Sequence, residues 1–211
     1  MSSAKTRKLI VDAARRLFAV RGFRDITIGD IAVAAHKGRR TVYSHFKNKE
    51  EIYDAVVESE LDILSEMLSQ VASRHCSPDE KLIKLIFARL DTIRTVVNRN
   101  GNLRADFFRD IIRVENVRRK FDSKEIALIK TILLEGVEKK LFYVQDIDMM
   151  AKIIHYCVKG IEVPYILGKL TGELSSAHRK KMVADLVLGA LEGIRPSDNT
   201  AKEEENRLGL E

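Results

Sequence analysis

Lys37, Arg39, Arg40, Thr41, Tyr43, His45 and Lys49 crowd one short stretch of the chain, and together they carry the chemistry of a DNA reader. A guanidinium is a planar fork that pairs with both major-groove acceptors of guanine, and a threonine methyl can lie against the thymine methyl. Arg39, Arg40 and Thr41 are therefore candidates for base contacts. Lys37 suits a phosphate. Lys49 does too, because a cation in the first turn of a helix opposes the helix dipole unless an anion lies nearby. His45 is assigned to the same backbone-contacting group. Phosphate contacts position a protein on a duplex, and base contacts give it sequence preference.

Two short helices and a tight turn have to hold these side chains. Thr27 is a good N-cap, since its hydroxyl can accept from the amides of the next turn. Ile28, Ile31, Ala32 and Ala35 follow at i, i+3, i+4 and i+7, the spacing of one buried helical face. His36-Lys37-Gly38 breaks the pattern, with Gly38 expected to supply the unusual backbone conformation of the turn. From Arg39 to Phe46 the spacing predicts about two further turns, with Val42 and Phe46 facing inward and the polar residues fanning outward. This is the layout of a helix-turn-helix whose second helix enters the major groove.

Thr27, Ile31-Ala32, Ala35, Thr41, Tyr43, His45-Phe46 and Asn48-Lys49 stand at the spacings of TetR-type (TetR/AcrR) transcriptional regulators, and the chain resembles that family up to Lys49. The match continues upstream through Ala13-Ala14, Leu17-Phe18 and Gly22-Phe23. Two places depart from the pattern, the turn and one position on the first helix. His36, Lys37 and Gly38 stand where the family often has a glycine, an apolar residue and a serine. Gly29 stands where many relatives carry a long polar side chain that can touch bases. The resemblance implies that the Tyr43 hydroxyl meets a phosphate and that Thr27 joins the DNA-contacting set. It also implies a larger second domain with a small-molecule pocket, and a homodimer built through the last two long helices. By location alone Phe87, Leu90, Phe107, Phe108, Ile111, Tyr156 and Tyr165 are pocket candidates. The function so implied is a repressor released by an unknown small-molecule effector from a near-palindromic double-stranded DNA operator.

Charge placement agrees with a basic reading head. Residues 1–50 hold 12 Lys and Arg against 4 Asp and Glu, while the other 161 hold 25 against 27. The net charge of +6 thus originates in the segment with the helix-turn-helix, the electrostatic footprint of a polyanion binder. Apolar content of 45% is enough for a packed core, and 6% aromatic with three prolines argues against an all-β fold. No apolar run is long enough to span a membrane, no secretory signal opens the chain, and a cytoplasmic location is expected. Cys76 and Cys157 read as two reduced thiols.

Catalysis finds little support. His36, His45, His75, His155 and His178 are scattered, none with a carboxylate or cysteine at ligand spacing, and His155-Tyr156-Cys157 places neighbours on different helical faces. No enzyme activity, metal or cofactor is expected. The rival readings are a DNA-organising protein with the same head and no effector, and a helical enzyme with an appended basic head.

The expected fold is all-α with about nine helices. It divides into a DNA-binding domain (1–48), a helical ligand-binding and dimerisation domain (49–195) and a charged, disordered tail (196–211). Within the second domain, Leu103 to Val117 reads as one helix. Asp122-Ser123-Lys124-Glu125 reads as the cap of another. Asp146 caps a long helix with Pro164 as its kink or break, and Ser175 or Ser176 starts the last.

Overall fold

Ile10, Ala13, Ala14 and Phe18 recur on one helical face, and the computed structural model seats all four in a closed core. It describes residues 2–99, 111–170 and 176–192. Among the described residues every regular element is a helix: α1 (Ser3–Arg21), α2 (Ile28–Ala34), α3 (Arg39–Tyr43), α4 (Lys49–Ala72), α5 (Pro78–Arg99), α6 (Ile111–Glu138), α7 (Ile147–Ile166) and α8 (Ser176–Glu192). None is long and apolar enough to cross a membrane.

Two apolar cores organise these helices. The first joins α1, α2 and α3 through Ile10, Phe18, Ile31, Val42 and Phe46, and it takes in Ile52, Tyr53 and Val56 from the start of α4. The second is built by the rest of α4 with α5, α6, α7 and α8, around Leu68, Leu82, Leu85, Ile129, Leu133, Val158 and Leu191. The helix α4 is therefore common to both. Its contact with α1 is also polar: Arg15 Nε lies 2.8 Å from Glu60 Oε1, and Arg15 donates to Ser59 Oγ at 2.9 Å. Arg15 is thus a tie between α1 and α4.

Local sequence explains most of the boundaries. Gly22 ends α1 at φ 79° and donates to the Phe18 carbonyl, after which Phe23 turns back to pack edge-on against Tyr53 at 5.2 Å. Asn48 caps α4 by accepting from the Glu51 amide, and Asp146 caps α7 through the Met149 amide. Pro164 neither breaks nor ends α7, which runs on to Ile166 because the proline sits in its last turn.

Two expectations are corrected. Asp122-Ser123-Lys124-Glu125 caps no helix, since α6 runs unbroken through it. Each polar residue that suggested a cap has another partner: Asp122 accepts from Lys159, Ser123 donates to the Arg119 carbonyl, and Glu125 is buried against Arg89 and His155. In the reading head, Gly38 has an ordinary extended backbone at φ −71°, and His36 takes the left-handed conformation at φ 51°. Histidine tolerates that region better than branched residues do. His36→Val is therefore expected to lower stability by about 1–2 kcal/mol, while His36→Gly stays near wild type. Urea unfolding midpoints of the two variants check the difference. The expected tail, and Phe107 and Phe108, lie outside the described residues.

Candidate nucleic-acid interface

The sequence of α3 leaves it only one way to sit. Val42 and Phe46 are buried, at 0% and 3% exposure, and they lock the helix onto the first core. Arg39, Arg40 and Tyr43 are then turned outward and exposed, with Thr41 and His45 half-buried beside them. The helix proper is shorter than expected, ending at Tyr43, and a turn continues it to Phe46 through the Val42 carbonyl. Lys37 is half-buried in the turn before α3. Arg7, inside α1, lays its guanidinium 5.1 Å from the centre of the Phe46 ring.

Thr27 and Asp30 form a reciprocal cap on α2. The Thr27 hydroxyl accepts from the Asp30 amide at 3.1 Å, while the Asp30 carboxylate accepts from the Thr27 amide and hydroxyl at 2.8 and 2.7 Å. These bonds, with Arg21 and Arg39 nearby, hold the Asp30 carboxyl below the usual carboxylate range. Thr27 is thus employed inside the motif.

The structure shows how the departure at Gly29 is accommodated. A Cβ placed there would lie 2.8 Å from Arg39 Nη2 and 3.1 Å from Arg39 Nε. The Arg39 guanidinium rests in the space that a longer side chain would take on α2. This pairing of Gly29 with Arg39 escapes sequence reasoning, which treats the two helices separately.

Lys49 has a different role from the one expected. Its ammonium donates to the carbonyls of Phe23 and Ile26 at 2.8 Å each and of Arg24 at 3.3 Å, and it lies 4.3 Å from the centre of the Phe23 ring. Its three protons are spent on the α1–α2 loop, which explains a cation at a helix N-terminus without any phosphate. The exposed cation at this edge is Lys47, whose amide is fixed by Glu51 at 2.7 Å.

The pocket candidates whose side chains the structure describes stand in different settings. Phe87 and Leu90 are buried in the second core. Tyr165 donates to Asp91 at 2.5 Å, and Lys180 reaches both Asp91 and the Phe87 ring, so polar links tie α5, α7 and α8 together beside Phe87 and Tyr165. Tyr156 lies apart, 60% exposed on the outer side of α7. Ile111 begins α6.

At the centre of the second core stands a buried ionic cluster that sequence reading missed. Glu162 accepts from Arg118 at 3.1 and 2.9 Å and from Arg89 at 3.0 Å, and Arg89 Nε lies 2.7 Å from Glu125. Burial alone would push the Glu162 carboxyl up, but the Arg118 and Arg89 guanidiniums outweigh it and hold it below its ordinary range. The signal was legible. Arg89 falls on the apolar face of Leu82, Ile86 and Ile93, and Glu162 on that of Ile154, Val158 and Ile166. Charged residues of opposite sign at buried register positions need each other.

Comparison with known proteins agrees with this geometry. Residues 10–56 match the family of bacterial regulatory proteins, tetR family. The chain is 26% identical over 197 residues to the HTH-type transcriptional regulator AcrR of Shigella flexneri, covering 89% of this chain and 88% of that one. It is 28% identical over 163 residues to the HTH-type transcriptional repressor KstR2 of Mycolicibacterium smegmatis, covering 72% and 75%. A transcriptional regulator from Cytophaga hutchinsonii has the same fold, with a TM-score of 0.68 at 21% identity over 88% of this chain and 98% of the other.

Proposed function

We propose, from the premise that this chain is a DNA-binding transcriptional regulator of the TetR family, that it acts as a homodimeric repressor on a near-palindromic operator and that a small molecule releases it. The observation that carries this reading is the presentation of α3: Val42 and Phe46 anchor it, and Arg39, Arg40 and Tyr43 are left outward. One such helix spans only a few base pairs, so a sequence-specific protein needs two of them about one helical turn apart. The outer side of α7 and α8 supports the dimer. Met149, Ile153, Tyr156 and Val163 on α7, with Met182 and Leu186 on α8, are large apolar side chains left exposed, and exposed apolar surface of that kind marks an interface.

Within the reader we assign Arg40 to a base edge, Arg39 and Thr41 beside it, and Tyr43, His45, Lys37 and Lys47 to phosphates. Lys47 takes the place expected of Lys49. Arg40→Ala is expected to cost about 1–3 kcal/mol on the operator, mostly at one base pair per half-site. Lys47→Ala weakens operator and scrambled DNA by similar factors, because a phosphate looks alike at every step. The operator is first selected from a random DNA pool, and each variant is then titrated at one fixed salt concentration. Equal losses on every sequence for Arg40→Ala would make it a backbone contact. A candidate effector is tested by its power to release the same operator. A protein that no ligand releases would be a DNA organiser instead.

A further inference from the structure

Asp122 and Glu125 stand one turn apart on α6, and His155 faces them from α7, so three potential ligand atoms lie within 4.8 Å of one another. The expectation that no histidine meets a carboxylate fails here, because the partners come from a different helix. The hydrogen bonding of this cluster is incomplete in a specific way. His155 Nδ1 lies 2.8 Å from Glu125 Oε2. A carboxylate there keeps the proton on Nδ1 and leaves the lone pair on Nε2. Nε2 is fully buried and has no hydrogen-bond partner among the described residues, and neither has Asp122 Oδ1. The other oxygen of Asp122 accepts from Lys159 at 3.0 Å and lies 3.8 Å from His155 Nε2. Two adjacent electron-pair donors are thus taken out of water without compensation.

We propose that α6 and α7 hold a site for a divalent transition-metal ion, with His155 Nε2 and Asp122 Oδ1 as protein ligands and Glu125 as the carboxylate that orients the imidazole. A carboxylate on the far nitrogen of a ligating histidine is the usual outer support of such a site. An imidazole nitrogen selects zinc, copper, iron or nickel, whereas calcium and magnesium ask for oxygen throughout. The side chains of Asp122 and Lys159 keep 13% and 19% of their surface exposed. The ion therefore enters past Asp122 and Lys159, and water carried in with it completes its coordination. Lys159 is the built-in competitor: its ammonium already neutralises Asp122, and removing it makes the site more cation-seeking. The proposal does not depend on the operator reading, since metal binding is measured on the protein without DNA.

The test is calorimetric titration of the full-length, chelator-stripped, untagged protein with zinc chloride. The expected result is one zinc ion per chain at micromolar metal. Asp122→Asn and His155→Gln are expected to weaken it by about ten- to a hundredfold, and Lys159→Met to tighten it. If His155→Gln does not fold, the half-buried positions Asp122 and Lys159 still decide the matter. The proposal is overturned if the wild type binds no zinc, in which case water or a proton occupies the cluster. It is equally overturned if Asp122→Asn and Lys159→Met leave the affinity unchanged, which would put the ion on other side chains.

Discussion

Glu162→Gln is expected to lower the stability of the fold by about 3–5 kcal/mol, the cost of leaving buried charges without their counterion. The amide keeps the shape of the carboxylate, so the loss reports charge rather than packing. Two guanidiniums, one of them 0% exposed, depend on Glu162. The control is Glu80→Gln, whose partner Lys84 is at the surface, where ion pairs contribute about 0–1 kcal/mol. Urea unfolding of both variants measures the contrast, and a Glu162→Gln loss no greater than that of the control would refute it. The pH dependence has a definite sign. The Glu162 carboxyl is held below its ordinary value of 4.5 in the folded protein. Its contribution is therefore complete above that value and is lost as pH falls through the folded one. The variant is expected to lack this acid-side decline.

Leu186→Glu is expected to turn the protein into a folded monomer that no longer holds its operator. Leu186 is 77% exposed on α8, so a charge there costs the isolated chain little. In a twofold dimer the substitution enters the interface twice. Each central apolar contact contributes roughly 2 kcal/mol or more, so association is expected to weaken by at least about a thousandfold. Leu191→Glu behaves differently. Leu191 is 0% exposed, and its carbonyl accepts from the Tyr143 amide. It belongs to the chain's own core, and a glutamate there is expected to unfold the monomer. Sedimentation separates the two variants. A Leu186→Glu protein that stays dimeric would remove this face from the interface.

The helical class, most caps and the exposure of Arg39, Arg40 and Tyr43 were legible, because each depends on neighbours within one or two turns. Thr27 and Asp146 cap the helices their spacing announced. The misreadings share a physical cause. Lys49 looked available because its three carbonyl acceptors belong to a loop more than twenty residues away. Asp122-Ser123-Lys124-Glu125 looked like a cap because its partners on α5 and α7 are invisible to a local window. The left-handed turn was given to Gly38 by residue type, but the chain takes it at His36, the last position before Lys37 donates back to Ala32. Local rules read local bonds, and this protein places its most consequential polar groups across helices.

The single rod shared by the two cores sets a length scale. At 24 residues α4 is about 36 Å long, close to the ~34 Å that separates successive major-groove faces of a duplex. Its first residue grips three carbonyls of the α1–α2 loop, and Arg15 ties α1 to its middle, so the reading head is fastened to α4 at two places. A tilt of about 5° at the far end carries the head roughly 3 Å. In a symmetric pair the two displacements add to about 6 Å, nearly two base-pair steps. In the proposed dimer, the angular tolerance of one helix thereby becomes the spacing tolerance of the operator.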